Sequence, residues 1–165
     1  MKVITRFAPS PTGFLHIGGV RTALFNWLFA KKHKGLFKLR IEDTDLKRST
    51  EEAKIAIIDG LKWMELNWDG EIIYQSQRQE RHRDIVNKLL EKGHAYKCYC
   101  TPEELEEMRV LAKSQKRAPR YNGKWRNLNP DLAPKDIDPV IRIKCPQSGS
   151  TKLKDLVQGE ININN

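Results

Sequence analysis

The chain has 165 residues, 39% of them hydrophobic, which suffices for one packed domain or for one domain with part of a second. Thirty Lys and Arg against 21 Asp and Glu leave a net charge of +9, favouring a polyanionic partner such as RNA or a nucleotide. There is no run of about 18 apolar residues to span a membrane, no signal-peptide pattern, and the three cysteines argue against a disulfide framework, so a cytoplasmic protein without a membrane partner is expected.

Lys2 to Phe7 alternates and carries β-branched Val3, Ile4 and Thr5, which predicts a strand. From His16, apolar Val20, Ala23, Leu24, Trp27 and Leu28 recur at helical spacing until Gly35, which stands where a left-handed helix end favours glycine. A second strand follows over Leu36 to Glu42. The resulting β-α-β unit places its two strands parallel in one sheet.

Ser49 with Glu52 forms an expected capping box for a helix with Ala53, Ile57, Ile58, Leu61 and Met64 on one face. Ser76 with Gln79 does the same for a helix ending near Gly93, and Thr101, Pro102 and Glu104 open a third that runs to about Gln115. Between these two helices, His94 to Cys100 reads as extended. After Ala118, prolines interrupt short alternating runs, Val140 to Lys144 and Thr151 to Val157, and a last strand pattern occupies Gly159 to Asn165. At helical and strand spacing Phe25, Trp27, Phe29 and Trp63 are assigned to packing, while Trp68, Tyr74, Tyr121 and Trp125 are available to stack on bases.

The break between the first strand and helix, RFAPSPTGFLHIGG, is the candidate site. Phosphates bind where a parallel strand ends and the next helix begins, because free backbone N–H groups and the helix dipole meet there. Pro9 and Pro11 stiffen the approach, Gly13 permits a turn, and Gly18 and Gly19 leave the first helical turn without side chains, so that a ligand can reach the backbone. His16 can donate to a phosphate oxygen. Arg6 and Glu42 fall at the carboxyl ends of the two paired strands, facing the same crevice, where they could hold a zwitterion or else pair with each other. Asp43, Thr44 and Asp45 extend an acidic lip.

RFAPSPTGFLHIGG, LRIEDTDLKRS, GLKWMELNWDG and YQSQR, in this order and spacing, resemble bacterial-type glutamyl-tRNA synthetase, a class I aminoacyl-tRNA synthetase, with HIGG in the place of the "HIGH" signature. The resemblance covers essentially the whole chain. It implies an α/β fold: residues 1–74 form the first half of a Rossmann-like parallel-sheet catalytic domain, and 75–165 form an incomplete inserted, tRNA acceptor-binding α+β region. The remaining catalytic half, with a "KMSKS"-type loop, and the anticodon-binding domain are expected in a longer chain, so this piece alone is expected to be inactive.

The implied reaction joins glutamate and ATP, with Mg2+, into glutamyl-adenylate, and then transfers glutamate to tRNA(Glu). Residue by residue, the match assigns His16 and Gly18 to catalysis, Pro11, Thr12, Gly13, His16, Gly18 and Gly19 to ATP, Arg6, Ala8, Ser10 and Glu42 to glutamate, and Thr44 and Arg48 to the tRNA 3′ end. A monomer is expected. Cys98 and Cys100 resemble half of a zinc knuckle found in some relatives. Trp125, Arg126 and Asn127 stand where its other ligands would follow, so no metal site is expected. A glutamyl-queuosine tRNA(Asp) synthetase and a non-catalytic basic RNA-binding module are the alternatives.

Overall fold

A computed structural model describes residues 2–165, with the backbone alone for Pro130. The chain divides into two compact units, one ending at His82 and one spanning Arg83–Asn165.

In the first unit, strands β1 (Ile4–Phe7), β2 (Leu36–Ile41) and the two-residue β3 (Ile73–Tyr74) form a parallel sheet in the order β1-β2-β3. Ile4 pairs with Leu36 and Phe7 with Leu39, while Ile41 pairs with Tyr74. The helices are α1 (Ile17–Lys32) and α2 (Glu51–Trp63). A parallel sheet covered on both faces has strands that are apolar throughout. Here β2 instead alternates: Phe37, Leu39 and Ile41 are buried, whereas Lys38 and Arg40 on the other face are only half-buried. Ala23 and Ala30 of α1 and Ile57 and Leu61 of α2 join Phe7 and the three buried β2 residues in one cluster, so both helices cover the same face. The opposite face carries Arg6, Lys38, Arg40 and, just past the strand, Glu42.

The helix-capping details differ from the sequence expectation. Thr50, not Ser49, caps α2, its hydroxyl accepting the Ala53 N–H at 3.1 Å. Gly35 is not the left-handed residue ending α1; Lys34 is, with φ 49°. Lys34 N–H donates to Lys31 O and Gly35 N–H to Ala30 O, the paired bonds of a Schellman motif. Glycine is needed one position later for a different reason, because a Cβ on Gly35 would sit 2.3 Å from the Val3 carbonyl oxygen. Leu24 and Leu28, placed on the packing face by periodicity, remain 40% and 47% exposed, because small Ala23 and Ala30 bring α1 close to the sheet along a different line.

In the second unit, α3 (Gln79–Glu91), which begins in the first, runs into β4 (Ala95–Cys98), followed by α4 (Pro102–Ser114), β5 (Val140–Ile143), β6 (Ser150–Asp155) and β7 (Gly159–Asn164). β4 pairs antiparallel with β5, and β6 with β7. The Thr101–Glu104 capping box of α4 is present in full. The Ser76–Gln79 box of α3 is not, since Gln75–Arg78 is a 3-10 turn and Ser76 is engaged elsewhere.

The aromatic assignment is reversed in part. Trp125 is buried against Cys98 and Cys100, Tyr121 packs with it, and Trp68 and Tyr74 pack on the first unit's core. By contrast Trp63 and Phe25 are 86% and 60% exposed. The sulfurs of Cys98 and Cys100 lie 3.3 and 3.7 Å from the Tyr121 hydroxyl, which also accepts the Trp125 backbone N–H at 3.0 Å, and the Arg142 guanidinium stacks over the Tyr121 ring. Burial pushes both thiols upward. At Cys98 the hydrogen bonds of Tyr121, the Cys100 backbone and Arg142 outweigh it. These residues do not fit a structural zinc ion, which needs four nitrogen or sulfur donors where two are present and already bonded. Among the described residues no three of His, Cys, Asp and Glu are placed to hold a metal ion. No helix described is long and apolar enough to cross a membrane.

Candidate active site at the strand ends

The loop after β1 is sewn to its neighbours by carbonyls, since its two prolines have no N–H to give. The Pro9 carbonyl accepts the Glu42 N–H at 2.9 Å, and that of buried Pro11 accepts the Thr50 N–H at 3.2 Å. Ala8 is thereby half-buried, and Ser10, Thr12 and Gly13 are exposed. Gly13 does not adopt a left-handed conformation, contrary to the turn role expected of it, and a Cβ there would enter open space.

His16 caps α1, its Nδ1 accepting the Gly18 N–H at 3.2 Å. A ring nitrogen that accepts is unprotonated, which assigns the proton of the neutral imidazole to Nε2, on an exposed side chain. A Cβ on Gly18 would meet this imidazole at 3.0 and 3.1 Å, and one on Gly19 would meet Leu15 Cδ1 at 2.9 Å. The two glycines therefore make room first for the chain's own side chains, a different reason from the ligand approach expected of them. The Ile17 and Gly19 N–H groups have no protein partner among the described residues.

Arg6, His16 and Glu42, expected around one crevice, are divided between two places. Arg6 lines a cavity of about 370 Å³ together with Arg40, Ile73, Gln75, Arg78, Arg81 and His82. His16 does not line it, and belongs to the helix covering the opposite sheet face. Glu42 shares the face of Arg6 but pairs with Arg40 through Oε1. The alternative of an Arg6–Glu42 pair is therefore not realised.

The acidic segment after β2 is mostly structural. Asp43 is 3% exposed. Its carboxylate accepts the Ser76 N–H at 2.9 Å and the Ser76 hydroxyl at 2.8 Å, with Lys54 Nζ at 3.4 Å. Burial alone would raise its pKa, but the Ser76 hydrogen bonds and Lys54 hold it below the ordinary aspartate value. Asp45 is likewise lowered, chiefly by its hydrogen bond from Arg48 Nε at 2.6 Å. Thr44 is exposed, and Arg48 keeps most of its surface in solvent.

Sequence reasoning gave no role to Arg40, Gln75, Arg78 or the Asp43–Ser76 link. A signal existed for the first, since period two along β2 puts Lys38, Arg40 and Glu42 on one face and parallel register sets Lys38 beside Arg6.

Comparison with known proteins now adds to this geometry. The family "tRNA synthetases class I (E and Q), catalytic domain" matches residues 2–165. A "Glutamate--tRNA ligase" of Afipia carboxidovorans is 59% identical over 159 residues, covering 96% of this chain and 34% of that protein. A "Glutamate--tRNA ligase 1" of Beijerinckia indica is 60% identical over 160 residues, covering 97% and 34%. Among solved structures, the crystal structure of a glutamate tRNA ligase from Elizabethkingia meningosepticum in complex with its amino acid superposes with a TM-score of 0.83 at 35% identity, covering 99% of this chain and 36% of that one. The chain thus spans about a third of the length of the curated relatives it matches. With the parallel sheet, the histidine-capped helix start and a family match over all the described residues, the chain belongs to the class I tRNA synthetases (E and Q), within their catalytic domain.

Proposed function

We propose that this chain is the amino-terminal third of a glutamate–tRNA ligase, a cytoplasmic monomer that activates glutamate with ATP and passes it to tRNA(Glu). The names of its relatives support this reading. Residues 1–74 serve as the first half of the catalytic domain, and 75–165 as part of the acceptor-binding insertion. The observation that carries the proposal is the helix start, where His16 Nε2–H and the unbonded N–H groups of Ile17 and Gly19 offer donors to phosphate oxygens.

In the first step a carboxylate oxygen of glutamate attacks the α-phosphorus of ATP and pyrophosphate leaves. Such displacement needs positioning and charge stabilisation, not a protein nucleophile. Pro11, Thr12, Gly13, His16, Gly18 and Gly19 line the nucleotide's approach, with His16 donating where charge builds. Ala8 and Ser10 flank the amino acid, Arg6 meets a carboxylate, and the Glu42 Oε2, which has no partner among the described residues, accepts the ammonium while Oε1 keeps Arg40. Mg2+ bound to the ATP phosphates supplies charge neutralisation; no carboxylate cluster is described that would hold it apart from the nucleotide. Thr44 and Arg48 contact the tRNA 3′ end in the second step, for which Arg48 must exchange Asp45 for a phosphate.

The test is ATP–pyrophosphate exchange by the complete enzyme. Exchange should require glutamate and fall when His16 is replaced by Asn; exchange supported equally by aspartate, or unaffected by His16→Asn, would refute the assignment.

A further inference from the structure

The cavity on the open sheet face holds more positive charge than one amino acid requires. Its wall combines Arg6 of β1, Arg40 of β2, Arg78 at the end of the 3-10 turn, and Arg81 and His82 in the first turn of α3. The carboxylate that reaches this group is Glu42, on Arg40. Among the described residues Arg6, Arg78 and Arg81 have neither an ion pair nor a side-chain hydrogen bond.

Two local rules are broken at this place. Like charges are gathered without a counterion, and cations stand at the positive end of a helix, where the dipole disfavours them. Such violations are retained where an external ligand repays them. A single carboxylate is satisfied by one bidentate guanidinium, and Arg6 suffices for that. The exposed Arg78 and Arg81, three positions apart on one helical face, are left over, and guanidiniums spaced along a surface match the oxyanions of a phosphodiester chain.

We infer that Arg78 and Arg81 form a phosphodiester site for single-stranded RNA beside the amino acid pocket, so that the RNA end is drawn across the open sheet face toward the activated carboxyl. This rests on the reading of the chain as part of a tRNA ligase. The test uses the 165-residue chain, a labelled single-stranded RNA tetranucleotide, ATP as a second ligand, and the variant Arg78→Gln/Arg81→Gln.

With about 0.7 of logarithmic salt slope per phosphate contact, the double variant should lose about 1.4 of slope, so that raising salt from 50 to 200 mM weakens it about sevenfold less than wild type. Its RNA affinity at 50 mM salt should fall about tenfold, ATP affinity should stay unchanged, and Arg78→Lys/Arg81→Lys should keep the slope. Circular dichroism checks folding; if the double variant is unfolded, Arg81→Gln alone should lose about 0.7 of slope. Unchanged slopes, no RNA binding by wild type, or an equal loss of ATP affinity would overturn the inference, the last by assigning the guanidiniums to the nucleotide's phosphates. Wild type that fails to bind ATP while the RNA slope still drops would count against the proposed function and leave this site standing.

Discussion

Replacing Asp43 should destabilise the first unit more than any other single change in the acidic segment. The Asp43 carboxylate accepts two short hydrogen bonds from Ser76 while 3% exposed, and Lys54 stands at 3.4 Å. Hydrogen bonds to a charged group are each worth about 1.5–3 kcal/mol, so Asp43→Ala should cost about 3–4 kcal/mol. Lys54 adds little to that loss, because it retains Glu51 at 3.3 Å. Asp43→Asn keeps the shape and one acceptor and should cost about 1.5 kcal/mol.

Urea unfolding at pH 7, followed by tryptophan fluorescence with Trp27 and Trp68 packed on the same core, measures both. Because Ser76 is the shared partner, Ser76→Ala should cost about 1–2 kcal/mol less in the Asp43→Ala background than alone. Asp43→Ala within about 0.5 kcal/mol of wild type, or strict additivity with Ser76→Ala, would refute the reasoning.

The folded pKa of Asp43 is depressed, so its contribution is complete above the unfolded value of 3.8 and is lost as pH falls through the lower folded value. The stability gap between wild type and Asp43→Asn should therefore shrink below about pH 4, as urea midpoints measured from pH 7 down to 3 will show. Gly35→Ala drives a Cβ to 2.3 Å from the Val3 carbonyl and should cost about 3 kcal/mol in urea titration. Glu65 ends α2 in the left-handed region with φ 58°, so Glu65→Gly should raise stability by about 0.5–1 kcal/mol. The chain on its own should show no glutamate-dependent ATP–pyrophosphate exchange above background.

The strands, the β-α-β unit and the α4 capping box were legible because alternation, helical spacing and capping chemistry all agree there. The helix ends were not. Lys34, Glu65 and Lys116 occupy left-handed positions without being glycine, and the hydrogen bonds that hold them depend on the chain beyond. Two-residue β3 is too short to show a period, and its pairing with β2 comes from tertiary placement. Trp63 and Trp125 were exchanged in role because Trp63 falls off the Ala53–Ile57–Leu61 face, while Trp125 is drawn in by Tyr121 and Tyr99, contacts from elsewhere in the chain.

Of the site, the position of His16 was readable from the strand-to-helix order. Its capping bond was not, since histidine is an unusual cap and the bond depends on Gly18 lacking a Cβ. The division of Arg6 from His16 was hidden because strand alternation decides which face a side chain takes, and the helix covering one face had to be placed first.

Calorimetric titration of ATP into the wild-type chain and His16→Asn tests the helix start most directly, because Asn is a strong helix cap that cannot reach outward as the imidazole does. Wild type should bind, and His16→Asn should keep its melting temperature while losing affinity about tenfold, one hydrogen bond to a charged group. Equal affinity in the two proteins would contradict the assignment of Nε2 to the phosphates.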